Sequence, residues 1–105
     1  MEKIFKAIGD RTRLELLLII YLNPNICLCH IEDYFDLSNS NLSRHLRELD
    51  QAGLISSYKA VRWKHYQITT IGNYLVETIK KIDSKNVLLD EIKIKSESIN
   101  KFEKE

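Results

Sequence analysis

The chain has 105 residues, of which 44% are hydrophobic and 30% charged, with 3 Gly and 1 Pro. This is the composition of one globular domain, too short to hold a catalytic domain beside a regulatory one and too poor in turn formers for a sandwich or barrel of many short strands. The net charge of +1 hides an asymmetry: residues 1–38 sum to −2, residues 39–66 to +3 with His45 and His65 besides, and residues 67–105 to zero. A positive middle third is where an electrostatic footprint for nucleic acid shows, although a fluctuation of surface charge gives the same sum.

Ile4, Phe5 and Ile8 predict a short first helix ending at Gly9, and Asp10 is placed to cap a second helix over 11–22. That helix is apolar around most of its circumference, which predicts a central, buried element. Its apolar run, Leu16 to Leu22, is too short to span a bilayer and has no cleavage site after it, so the chain reads as soluble and cytoplasmic. Asn23-Pro24-Asn25 stops the helix. Residues 26–35 have apolar positions at 28, 31, 34 and 35, a helical spacing, and Asp36-Leu37-Ser38 is a short turn. Ser38 then caps a helix over 39–52 with Leu42, Leu46 and Leu49 inward, and Gly53 stands where a left-handed residue closes a helix. Residues 54–60 and 63–69 predict a hairpin turning near Val61-Arg62, with Trp63 and Tyr66 as packing residues. Thr69 or Thr70 caps a last helix with Ile71, Leu75, Ile79, Ile82 and Leu89 on its seam, and residues 83–86 break or bend it. The expected organisation is a domain over 1–92 and a charged, frayed tail over 93–105.

The expected fold is therefore mainly α with a small β-hairpin, in the order α-α-α-α-β-β-α: two helices joined by a short turn and followed by a hairpin, a winged helix-turn-helix. A helix about 10–12 Å across fits the major groove, about 12 Å wide, and the hairpin reaches phosphates beside it. With the leucines inward, the outer face shows Ser40, Asn41, Ser43, Arg44 and Arg47, of which Asn suits adenine and Arg suits guanine. Lys59, Arg62 and Lys64 of the hairpin are candidate phosphate ligands. The same pieces also suit a winged-helix module that binds protein and no DNA. No Gly-rich phosphate loop, Cys-x-x-Cys or carboxylate pair set near a histidine is present, so no catalytic residue and no tightly bound organic cofactor is expected.

Four stretches, in order and spread over residues 3–70, resemble the ArsR/SmtB family of bacterial and archaeal repressors. They are the opening Phe5-Lys6-Ala7-Ile8-Gly9-Asp10-Arg11-Thr12-Arg13-Leu14, with Arg11 in place of the usual Pro, and the segment Leu37 to Leu46. The other two are Ala52-Gly53-Leu54-Ile55 and the wing Arg62 to Ile68. The resemblance implies a homodimer built from the first and last helices. It also implies repression of a metal- or metalloid-resistance operon until an inducer binds, with recognition helices about 34 Å apart on an imperfect palindrome.

Cys27-Leu28-Cys29 is the candidate inducer site. Two cysteines in an apolar stretch can be small buried hydrophobes, but thiolates this close in sequence suit a soft ion, and the arsenic and cadmium/lead branches of the family carry Cys-x-Cys at this place. Positions i and i+2 of a helix point about 200° apart, so joint ligation is expected to unwind the first turn. The third cysteine common in arsenic sites of this type is Glu32 here, and His30 is a possible ligand for a borderline metal. The cadmium/lead branch adds cysteine from an N-terminal extension not found in this sequence, and the zinc branch uses a His-containing site on the last helix, where no His follows Thr70. Within the resemblance, arsenite or antimonite held by Cys27 and Cys29 is the leading inducer. Another thiophilic metal or an oxidant is the alternative, with oxidation expected to give a sulfenic acid or a bond between chains rather than a strained i,i+2 disulfide.

Overall fold

The structure is a computed structural model that describes residues 1–35, 37–83, 85 and 87–94. The elements in chain order are α1 (Glu2–Ile8), α2 (Arg11–Leu22), β1 (Ile26–Cys27), α3 (Leu28–Tyr34), α4 (Asn39–Gln51), β2 (Ile55–Ala60), β3 (Trp63–Ile68) and α5 (Thr70–Ile82). A further helix, α6, covers 87–94.

α2 is the axis of the core. Leu16, Leu17, Leu18, Ile19 and Ile20 are all buried, as an element apolar on every side requires. Its start is the expected one: Asp10 is extended and its carboxylate accepts the Arg13 backbone N–H at 3.1 Å. That hydrogen bond holds the Asp10 carboxyl below its ordinary acidity range. At the other end Asn23 turns its amide back onto the Ile19 carbonyl at 2.9 Å. α1, α4, α5 and β3 all pack on α2.

α4 runs from a Ser38 cap, whose Oγ accepts the Asn41 N–H, and buries Leu42, Leu46 and Leu49 as predicted. Its C-terminus is a complete Schellman closure. Gly53 has φ +79°, its N–H donates to the Asp50 carbonyl at 2.9 Å, and the Leu54 N–H donates to the Leu49 carbonyl at 3.1 Å. Thr69 joins this corner to α5, donating from Oγ1 to the Gly53 carbonyl at 2.6 Å and accepting the Gly72 N–H at 3.0 Å. Gly72 is there because α5 crosses the Leu54 carbonyl so closely that a Cβ would collide with it and with Ile68.

The sheet differs from expectation. It has three antiparallel strands in the order β1-β3-β2, not two. Residues 26 and 27, read as the start of a helix, instead pair with the wing, Ile26 opposite Tyr66 and Cys27 opposite His65. Two residues leave no room for a period-2 pattern, so only the partner strand reveals the element. The hairpin itself has the predicted register, from Ile55 opposite Ile68 to Ala60 opposite Trp63.

α5 also turns a partly different face inward. Gly72 and Val76 are buried; of the predicted seam residues Leu75 and Ile79 are half-buried and Leu89, beyond α5, is buried, whereas Ile71 and Ile82 are exposed. The break falls where predicted, at Asp83, whose carboxylate accepts the N–H groups of Val87, Leu88 and Leu89 and so starts α6. Of the tail expected to fray over 93–105, Lys93 and Ile94 are instead the end of α6, and residues 95–105 lie outside the described residues. No helix among the described residues is long and apolar enough to cross a membrane.

Candidate nucleic-acid interface and thiol site

Every residue singled out on the second helix of the helix-turn-helix is on the solvent face of α4: Ser40, Asn41, Ser43, Arg44 and Arg47 are exposed. The inward leucines force this, since positions 40, 43, 44 and 47 fall on the opposite side of a helix with a period of about 3.6 residues. The wing supplies Lys59, Arg62 and Lys64, all exposed. Lys59 and Lys64 stand directly opposite each other in the β2–β3 register. Like charges at a cross-strand pair repel, and a polyanion alongside relieves that cost. A cleft of about 350 Å³ lies between the two parts, lined by Ser43 and Arg47 from α4 and by Lys64 and Tyr66 from β3. The two halves of the basic surface thus share a wall. The wing tip is backbone-strained, because Val61 sits at φ +61°, a region that β-branched residues avoid. Tyr66 packs in the core as expected, but Trp63 is half exposed.

The thiol site lies behind this surface. Cys27 is not inside a helix. It ends β1 and caps α3 with φ −75° and ψ 142°, so its sulfur folds over the first turn and accepts the Cys29 N–H at 3.3 Å. The expected divergence of i and i+2 therefore does not arise, and no unwinding is needed to bring the sulfurs together. The two are in contact as a disulfide pair with Cα atoms 5.2 Å apart, within the usual disulfide range. His30 completes a cluster whose ligand atoms lie within 4.8 Å of one another, with its Nδ1 3.9 Å from Cys29 Sγ. The donor set is that of a small, soft, thiol-dominated site with one borderline nitrogen.

Three ties connect this site to the wing. Cys27 pairs with His65 across the β1–β3 ladder. Just before it, Asn25, held at φ +64°, accepts from His65 Nδ1 through its carbonyl at 3.0 Å and from the Tyr58 hydroxyl through Oδ1 at 3.0 Å. Tyr58 and His65 stack at 5.4 Å. Leu28, between the cysteines, lines the cleft shared by α4 and β3 and a second one along the wing. Sequence reasoning missed Asn25 and Leu28. The Asn-Pro-Asn turn was visible, but its partners are roughly forty residues away.

A helix-turn-helix with an exposed polar second helix and a basic wing defines a winged helix-turn-helix protein, and its relatives place it among transcriptional regulators. The particular family follows from similarity. Residues 10–57 match the arsR family of bacterial regulatory proteins. Over 81 residues the chain is 36% identical to an uncharacterized HTH-type transcriptional regulator, MJ1325, of Methanocaldococcus jannaschii, covering 77% of this chain and 89% of that one. It is 33% identical over 67 residues to the arsenical resistance operon repressor of Escherichia coli, covering 64% of this chain and 57% of that protein. The chain thus spans well under two thirds of that repressor's length. Reduced HlyU from Vibrio cholerae superposes with a TM-score of 0.67 at 25% identity, covering 76% of this chain and 84% of that one. An ArsR-like transcriptional regulator from Rhodococcus gives 0.60 at 23%, covering 86% and 82%. The chain belongs to the arsR family of transcriptional regulators.

Proposed function

We propose that the chain is a homodimeric repressor that binds operator DNA through α4 and the wing and is released when arsenite or antimonite binds Cys27 and Cys29. The observation that carries the inducer assignment is the convergence of the two sulfurs at the end of β1, on the strand that pairs with the wing. In the dithiol form, Cys27 and Cys29 offer two soft ligands that suit a thiophilic metalloid. The route to DNA is short, because a rearrangement at Cys27 acts on His65 through the ladder and on the α4–β3 cleft through Leu28. Such coupling is reciprocal: DNA must weaken inducer binding by the same factor.

Arsenical resistance repressors of several organisms at 30–33% identity support this reading. The sulfur contact itself favours a second reading, in which an oxidant converts the dithiol to the disulfide and triggers release. Fluorescence anisotropy on the DNA just upstream of the gene tests both. Arsenite added to the reduced complex releases it at about stoichiometric levels under the first reading. Under the second, arsenite leaves the complex intact and a mild thiol oxidant dissolves it.

Of the DNA-facing residues, Ser40, Asn41, Ser43, Arg44 and Arg47 face bases or phosphates in this proposal, and Lys59, Arg62 and Lys64 face phosphates. Arg44→Ala is expected to cost about 1–3 kcal/mol of specific binding and to relax specificity at one base pair. Lys64→Ala is expected to weaken all sequences alike and lower the salt slope by about one. Equal loss on operator and random DNA for Arg44→Ala removes its base-reading role.

A further inference from the structure

Besides its leucines, the inner face of α4 buries one titratable group, His45, only 7% exposed. Its Nδ1 lies 3.1 Å from Arg13 Nη1. A guanidinium has no acceptor and keeps its charge, so Nδ1 serves as the acceptor and carries no proton. The same guanidinium donates through Nε to the Ala7 carbonyl at 2.8 Å and through Nη2 to the Lys6 carbonyl at 3.3 Å. Both carbonyls belong to the last turn of α1, where helix carbonyls lack helical partners. One planar fork, anchored in the first turn of α2, therefore fastens the end of α1 to the middle of α4. The charged groups facing His45 are Asp10 and Arg13 from the α1–α2 corner and Arg44 and Glu48 from α4.

We propose that Arg13 and His45 are positioning residues for DNA binding, that the neutral imidazole is what Arg13 holds to aim α4, and that protonation of His45 undoes the hold and weakens operator binding in acid. This rests on α4 being the DNA-reading helix. A histidinium has no lone pair at Nδ1 and sets two cations in contact.

Burial lowers the imidazole's proton affinity below the ordinary histidine value; Arg44 and Arg13 act with it, and Asp10 and Glu48 against it. The sign follows. The unfolded chain takes up the proton first, near pH 6.5. The stability contributed by neutral His45 is therefore complete above that pH and is lost as pH falls toward the lower folded value. The effect on DNA is opposite to simple electrostatics, in which added positive charge on a protein tightens its binding to a polyanion.

The test is operator affinity at pH 7.5 and pH 5.5, at fixed ionic strength, for wild type and for His45→Asn. Asn places an acceptor oxygen near the Nδ1 position, does not titrate, and has a helix propensity close to that of His. Wild type is expected to lose operator affinity between pH 7.5 and pH 5.5, by less than tenfold, to the extent that the free protein takes up a proton on His45 that the DNA complex excludes. His45→Asn is expected to match wild type at pH 7.5 and stay flat, and Arg13→Lys, which loses the fork, to bind weakly at both. Wild-type affinity that is unchanged or tighter in acid, or an equal drop in His45→Asn, overturns the proposal. If the variant does not fold, or if specific binding is absent at pH 7.5, nitrogen NMR of the wild-type imidazole decides about the hold. An unprotonated Nδ1 near neutral pH supports it and a protonated Nδ1 overturns it.

Discussion

Cys27→Ser is expected to bind the operator as wild type does and to ignore arsenite. The substitution is mild for the fold because Cys27 is the cap of α3, its sulfur accepting the Cys29 N–H. Serine is among the preferred capping residues, so its Oγ can take over that bond, and any loss of stability stays well under the roughly 1 kcal/mol that deleting a cap costs. The soft ligand is gone, and a lone thiolate at Cys29 holds a metalloid far more weakly than a pair. Allosteric couplings usually amount to about 5–150-fold in affinity, and here that factor falls to one. The measurement is the anisotropy titration with reduced protein, in parallel with Cys29→Ser and with Leu28→Ala. The leucine variant keeps both thiols and is expected to bind arsenite while releasing DNA less completely. Release of Cys27→Ser by arsenite at the wild-type concentration would remove the thiol pair from the mechanism.

The helices, their caps and the hairpin were legible because each is encoded locally. Asp10, Ser38 and Thr69 all cap the helices they precede, and Gly53 takes the left-handed turn that closes α4. The solvent-facing side of α4 followed from the inward leucines alone. What was not legible depends on partners distant in sequence. β1 is two residues long and exists only because β3 pairs with it. The reading of Cys27 as helical therefore led to an expected unwinding that the extended backbone makes unnecessary. The buried side of α5 was legible only in part, at Leu75 and Ile79, for a related reason. Val76 faces the core rather than Ile71 because Gly72 must pass against Leu54, a constraint set by a neighbour and not by the helix's own period. His45 looked unremarkable in sequence, and its partner Arg13 is 32 residues away.

The apolar residues that α1 and α5 leave in solvent carry the largest expected effect on DNA affinity. Phe5 is 62% exposed, Ile71 53% and Tyr74 68%. α1 and α5 both pack on α2, and Tyr21 of α2 donates to the Glu77 carboxylate of α5 at 2.8 Å, which helps hold α5 in place. Large apolar side chains left in water on α1 and α5 are candidates for an interaction surface, and the proposed occupant is a second copy of the chain. Joining two reading heads makes the second contact intramolecular, which raises affinity by roughly 10²–10⁴-fold with no new contact to DNA. Tyr74→Glu is expected to put a charge into that interface at a position where the monomer has nothing to lose, since the side chain is solvated. The variant should run as a folded monomer in analytical ultracentrifugation and lose operator affinity by that factor, while keeping the weak binding of a single head to a half-site. A dimer that survives Tyr74→Glu, Ile71→Glu and Phe5→Glu would place the subunit contact elsewhere on the molecule. A monomer with full operator affinity would show that one copy of α4 and its wing suffices.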